Sequence, residues 1–110
     1  MIIQGQTVEA LQQFYHTDVV VVEPDGFVRK GRDTNIDNER KNRQGISALR
    51  ATLLNYACNA EKNTIFAEWE FLFTDLAGES FKLREVSVQE WKDGCIVAER
   101  FYYKGAVSVK

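Results

Sequence analysis

Two short loops constrain this chain more than any other feature: Leu76-Ala77-Gly78 and Lys92-Asp93-Gly94, each with glycine third. A three-residue hairpin loop wants a left-handed residue in that place, and glycine takes it without strain. The loops therefore divide the C-terminal half into three antiparallel strands, Thr64–Thr74, Ser80–Trp91 and Cys95–Tyr103. Loop length also fixes register. With Asp75 flanking Glu79, Phe73 falls opposite Phe81, Phe71 opposite Leu83, Trp69 opposite Glu85 and Ala67 opposite Ser87. With Trp91 flanking Cys95, Gln89 falls opposite Val97, Ser87 opposite Glu99, Glu85 opposite Phe101 and Leu83 opposite Tyr103.

Side chains alternate between the faces of a strand. One face then collects Trp69, Phe71, Phe73, Leu83, Phe101 and Tyr103, and is expected to be buried. The same face carries Glu85, Ser87, Gln89 and Glu99. Carboxylates in apolar surroundings are costly unless paired, hydrogen-bonded or neutralised, and two close together push at least one upward in pKa. Such groups suit acid–base chemistry or ligand orientation. The structural alternative is a salt bridge to Arg32, Arg40 or Arg43. The opposite face carries Glu70 across from Arg84. It also carries an apolar patch of Val86, Val88, Ile96, Ala98 and Tyr102, which predicts a homodimer through the outer sheet face.

The N-terminal half is more mixed. Val8, Leu11 and Tyr15 recur at helical spacing, so Thr7–Tyr15 is predicted to be a short helix. Val19–Glu23 is β-prone, Pro24-Asp25-Gly26 reads as a turn, and Phe27–Lys30 returns as a second strand. Asp33–Arg43 is helix-compatible, with Asp33 or Thr34 as cap and Gly45 as stop. Ile36 is nearly its only apolar residue, so this helix either packs poorly or turns its side chains toward a wet cavity. Periodicity leaves Ile46–Ala60 open between helix and strand; the turn-like Glu61-Lys62-Asn63 favours a strand.

Composition mainly excludes. One domain over residues 1–110 suits the length. Fourteen Lys and Arg against 16 Asp and Glu leave no basic surplus for nucleic acid. No apolar run approaches the ~20 residues of a membrane span. The N-terminal Met-Ile-Ile-Gln-Gly-Gln lacks the basic and apolar regions of a signal peptide, which predicts a cytoplasmic protein. Cys58 and Cys95 stand apart and are expected to be reduced packing residues, and His16 is the single histidine. No metal site, nucleotide loop or nucleophile elbow is legible, so the expectation is no metal and no cofactor.

The order helix, hairpin, helix and long antiparallel sheet resembles the nuclear-transport-factor-two-like superfamily. The similarity runs through Phe14-Tyr15-His16-Thr17-Asp18-Val19 to Glu23-Pro24, and through Lys30-Gly31-Arg32-Asp33. It continues in Val86-Ser87-Val88-Gln89-Glu90-Trp91-Lys92-Asp93-Gly94-Cys95-Ile96-Val97. The SnoaL-like branch is most similar, and ketosteroid isomerase more distantly. The resemblance implies an α+β, cystatin-like fold: a cone-shaped curved antiparallel sheet with short helices packed on its concave face. Here the first helix would be shortened or missing, because the chain begins about a helix late. The resemblance also makes Ile46–Ala60 a strand. Glu23 before Pro24 is similar to the aspartate that serves isomerases as general base, and Tyr15 to a tyrosine supporting the pocket. Ser87 stands where those enzymes hold a protonated aspartate, and Glu99 where they have an apolar pocket residue. Steroid isomerisation is therefore not expected.

These readings converge on a pocket for a small, largely apolar organic molecule. The predicted catalytic residues are Glu23, which removes a proton, and Glu85 or Glu99, kept neutral by burial, which returns one. Tyr15, Trp69, Phe101 and Tyr103 would form walls, while Ser87 and Gln89 orient the ligand. His16 is expected to anchor the end of the first helix. The alternatives are a non-catalytic binding module and a dimerisation domain.

Overall fold

The computed structural model describes residues 7–109. The expectations about a leader and a missing preceding helix fall partly on residues 1–6, outside that range. Helix α1 spans Thr7–Phe14, and β1 (Tyr15–Val22) pairs with β2 (Val28–Lys30) as a hairpin. Its turn is closed by the Gly26 N–H donating to Glu23 O at 2.9 Å and by the Phe27 N–H donating to the Asp25 carboxylate at 2.9 Å. Helix α2 covers Arg32–Gln44, and β3 covers Ile46–Asn59, which resolves the ambiguous segment as a strand. A short 3₁₀ turn leads into β4 (Thr64–Asp75), β5 (Ser80–Lys92) and β6 (Cys95–Tyr102). A last strand, β7 (Val107–Val109), pairs with Ser80–Lys82 of β5 and was not legible in the sequence.

The sheet runs β2-β1-β6-β5-β4-β3, and β1 lies parallel to β6 while the meander is antiparallel. It is a curved, unclosed α+β sheet with two short helices. Leu11, Tyr15, Val19, Val21, Ile36 and Ile96 form its buried core, with Val8, Phe14, Trp91 and Phe101 packed around them. Each fully buried aliphatic side chain contributes roughly 1.5–3 kcal/mol. Among the described residues no helix is long and apolar enough to cross a membrane.

The β4–β5 register is the one the first loop dictates, Phe73 to Phe81 through Ala67 to Ser87. The second loop differs. Asp93 and Gly94 both take positive φ, 53° and 81°, so the turn has two residues and pairs Lys92 with Cys95. Asp-Gly is favoured for such a turn because both central positions need positive φ. A bulge at Val97 then adds one residue, since Trp91 pairs with Ile96 but Glu90 with Ala98. Gln89 consequently faces Glu99, and Ser87 faces Phe101. The shorter turn and the bulge together shift the register by two, so Glu99 and Phe101 stay on the inner face. Ile96, before the bulge, does not keep its expected side. It turns into the core at 1% exposure, which removes it from the predicted dimer patch.

Helix α2 is also entered differently from expectation. Gly31, not Asp33 or Thr34, is the N-cap, with φ 96° and no side-chain cap bond. Its N–H donates to Val19 O at 2.8 Å, and its carbonyl accepts from the Asn35 side chain at 2.8 Å. A non-glycine residue at that φ is strained.

Replacing Ile96 by Ala is expected to cost about 2–5 kcal/mol, as in other cores. Leu76→Ala, in the exposed loop between β4 and β5, should stay within about 0.5 kcal/mol. Urea unfolding of both variants checks the inward turn at the bulge.

Candidate functional site

The inner face of the sheet holds two polar assemblies. The first is sealed. Glu99 is 1% exposed on β6 and accepts the Tyr15 hydroxyl on one oxygen. Its other oxygen accepts the Gln89 amide at 2.9 Å, and the Gln89 oxygen accepts the Trp91 indole N–H at 3.3 Å. Burial pushes the Glu99 carboxyl above its ordinary range, while the Tyr15 and Gln89 donors pull it down. Tyr15 is pushed up as well, by burial first and then by Glu99. Ser87, on β5, is 1% exposed, and its Oγ has no hydrogen-bond partner among the described residues.

The second assembly is open. A cavity of about 410 Å³ is lined by Glu23, Arg29, Asn38, Glu39, Asn42, Arg43 and Glu85 on its polar side. Leu49, Phe71, Phe73, Leu83, Phe101 and Tyr103 form its apolar wall. The size fits a small organic molecule. The polar composition of α2 has its explanation here: Asn38, Glu39, Asn42 and Arg43 face the cavity, as a helix so poor in apolar residues must. Two of its neighbours, Asn35 and Ile36, are buried.

Glu23, predicted as general base, is anchored. Arg29 forms an ion pair with one oxygen, and the Tyr103 hydroxyl donates to the other at 3.0 Å. Arg29 Nε donates in turn to Asn35 Oδ1 at 3.1 Å. The salt bridge to Arg32, Arg40 or Arg43 expected as the alternative for Glu85 and Glu99 is not formed among the described residues; Arg32 and Arg40 lie 3.9 Å from Asp33 and Asp37. The Tyr103 phenol is pushed up to about 12 by burial and by Glu23.

Glu85 is different. It lines the cavity without an ion-pair partner among the described residues. Burial, and then the charges of Glu99, Glu23 and Glu39, push it up to about 8. Glu39 is also raised by burial, against the pull of Arg43 and Arg29. One electrostatic cluster therefore joins all three predicted glutamates, and adds Glu39, which the sequence did not single out. A carboxylate one helical turn before an arginine looks like an ordinary solvated pair in sequence, so nothing there marks Glu39, while Arg43 stands out only as a candidate salt-bridge partner.

The predicted ligand residues divide. Phe101 and Tyr103 line the cavity with Glu23 and Glu85. Trp69 and Gln89 line a separate apolar cavity of about 570 Å³ with Phe14, Leu53, Tyr56, Cys58, Ile65, Ala67 and Trp91. Tyr15, Ser87 and Glu99 line neither of these two. His16, expected to anchor the end of the first helix, lies instead within β1, where its Nδ1 accepts from the Asp18 N–H at 3.0 Å. Both cysteines are free, and Cys58 is exposed rather than packed.

With this geometry in view, comparison with known proteins settles the family. Residues 2–99 match the model of the SnoaL-like domain. The chain belongs to the SnoaL-like domain family. No protein of curated function matches it significantly. Solved structures share the fold. A nuclear-transport-factor-two-like protein of unknown function from Burkholderia pseudomallei aligns with TM-score 0.78 at 19% identity, over 90% of this chain and 79% of its own. A hypothetical protein with a ketosteroid isomerase-like fold from Catenulispora acidiphila, in complex with trimethylamine, aligns with TM-score 0.78 at 15% identity, covering 92% and 78%. A protein provisionally assigned as a SnoaL-like polyketide cyclase from Jannaschia sp. aligns with TM-score 0.79 at 10% identity, covering 92% and 74%. At these identities SnoaL-like neighbours establish architecture, and chemistry must be argued from the residues.

Two outcomes follow from the electrostatics. A carboxyl raised by folding stabilises the protein while protonated, and that stability is lost as pH rises through its folded value. Stability should therefore fall between about pH 4.5 and 8 through Glu85. Glu85→Gln should flatten the decline and exceed wild type at pH 9, as read by urea midpoints at the two ends. Tyr15→Phe removes one of the donors to Glu99, and should cost about 1–3 kcal/mol.

Proposed function

We propose that this SnoaL-like domain binds a small, largely apolar organic molecule in the cavity between α2 and the sheet, and catalyses cofactor-free proton transfer on it through Glu85. The observation that carries this reading is a buried, unpaired carboxyl on the wall of a ligand-sized cavity. A general acid–base works best with its pKa near the working pH, and Glu85, pushed up to about 8, meets that condition. Ionised, it is a stronger base than an ordinary carboxylate; protonated, it can return the proton to a neighbouring carbon or oxygen. Isomerisation, cyclisation and dehydration all need such a step.

Glu23 lines the same cavity but is held by Arg29 and Tyr103. Both of its carboxylate oxygens are thus engaged, which favours an orienting role for Glu23 over abstraction. Glu99 acts as a positioning residue: its charge adds to the field that raises Glu85. Trp69 and Gln89 border the neighbouring apolar cavity, and would meet only a ligand that extends past Glu85.

Deuterium incorporation into a carbon acid tests this directly. A cyclic ketone such as 2-tetralone in D2O should exchange its α-protons faster with wild type than with buffer. Glu85→Gln should lose about 10²–10⁴-fold, and Glu99→Gln should move the pH profile of exchange downward. Binding of the ketone, seen by NMR, with no exchange at any pH would leave the binding-module reading standing and remove catalysis.

The outer face supports a second, separate reading as a self-association surface. Phe66, Val86 and Tyr102 are 40%, 37% and 53% exposed there. Their charged neighbours are already paired, Arg84 with Glu70 and Arg100 with Glu90. We propose that Val86, Ala98 and Tyr102, joined by Phe66, form the homodimer contact, with Val88 largely covered within the chain at 5% exposure. Light scattering should give twice the chain mass, reduced to the chain mass by Val86→Glu; a monomeric wild type would remove this reading.

A further inference from the structure

Among the described residues, the cavity wall contains one cation with no hydrogen-bond or ion-pair partner. Arg43, in the last turn of α2, lines the cavity, and its Nη1 is buried with no hydrogen-bond acceptor. The other arginine on the wall, Arg29, is committed to Glu23 and Asn35. Arg43 forms no ion pair among the described residues. Glu39, four residues earlier, feels Arg43 through space without closing to a salt bridge.

A buried N–H left unbonded costs about 1–3 kcal/mol, so nearly all such groups find an acceptor. No described residue supplies one here. A guanidinium is matched best by a planar anion, since its fork meets both oxygens of a carboxylate. The charge balance of the wall agrees. Glu23 is neutralised by Arg29, and burial disfavours the ionised forms of Glu39 and Glu85. Arg43 is therefore the cation of the wall left without an acceptor among the described residues. Opposite it lie Phe71, Phe73 and Phe101, a surface suited to a flat apolar body.

We propose that the ligand of this cavity is an organic acid, whose carboxylate docks on Arg43 and whose apolar or aromatic body rests on Phe71, Phe73 and Phe101. This rests on reading the cavity as a ligand site and names the chemical class it selects. The carboxylate also fixes which carbon of the ligand is carried toward Glu85, so Arg43 is a specificity-determining residue.

Three probes of one shape test this: 2-naphthoate, neutral 2-naphthamide and cationic 2-naphthylmethylamine, each titrated into isotope-labelled protein by NMR. Wild type should bind the naphthoate tighter than the amide by on the order of tenfold, and the amine most weakly, with shifts at Arg43 and the three phenylalanines. Arg43→Gln should erase the preference for naphthoate and leave the amide affinity within about twofold; Arg43→Lys should keep part of it, as a point charge does. Equal or weaker binding of naphthoate than of the amide or the amine by wild type would overturn the proposal. So would an unchanged preference in Arg43→Gln. The wild-type comparison needs no variant to fold. Amide binding without acid selectivity sinks the organic-acid proposal alone, whereas silence of all three probes at the cavity residues sinks the ligand-site reading with it.

Discussion

The structure turns on burying carboxyl groups against an apolar sheet face without giving each a counter-ion. Glu99 is the extreme case, sealed at 1% exposure and held by Tyr15 and Gln89 rather than by a cation. Desolvation of an unpaired carboxylate is expensive, and the protein offsets it with neutral donors at Glu99 and with a raised pKa at Glu85. That choice links the two ends of the chain. Tyr15 opens β1, Glu99 lies in β6, and the parallel β1–β6 pairing sets Tyr15 beside Ile96 within the same core. The core and the polar network therefore depend on the same contacts.

The field of Glu99 reaches Glu85, and Glu85 reaches the cavity. A sealed network thus sets the protonation of an accessible group. Helix α2 completes the other wall with Glu39 and Arg43, and β2 supplies Arg29 to Glu23. Two carboxyls share one cavity in unlike surroundings: Glu23 neutralised by a cation, Glu85 raised by burial. Environments that separate like groups in this way are how one site can both orient and exchange protons.

Much of this was legible in the sequence. The first glycine loop fixed the β4–β5 register, and alternation placed Glu85, Ser87, Gln89 and Glu99 inward. The polar composition of α2 left poor packing or a wet cavity open, and its residues line a cavity. The parts that escaped have physical causes. Asp93 takes positive φ, so the second turn is one residue shorter than glycine position alone suggests, and the Val97 bulge adds one residue. The two changes add to a shift of two, an even number, which keeps Glu99 and Phe101 on the inner face but turns Ile96, between turn and bulge, into the core. Arg29 as partner of Glu23 depends on the β1–β2 hairpin bringing residues six apart together. Arg43 looks like a helix-terminal surface arginine until the sheet is placed against it. Strand β7 has three residues, too few for a periodic signal.

The central claim is that burial and neighbouring charge keep the Glu85 carboxyl protonated near neutral pH. Its side-chain carboxyl carbon can be followed by 13C NMR across pH 3–11, with Glu85→Gln identifying the resonance. An apparent midpoint near 8 is the required result. A midpoint in the ordinary glutamate range of about 4.3 would contradict it, and with it the assignment of proton transfer to this site.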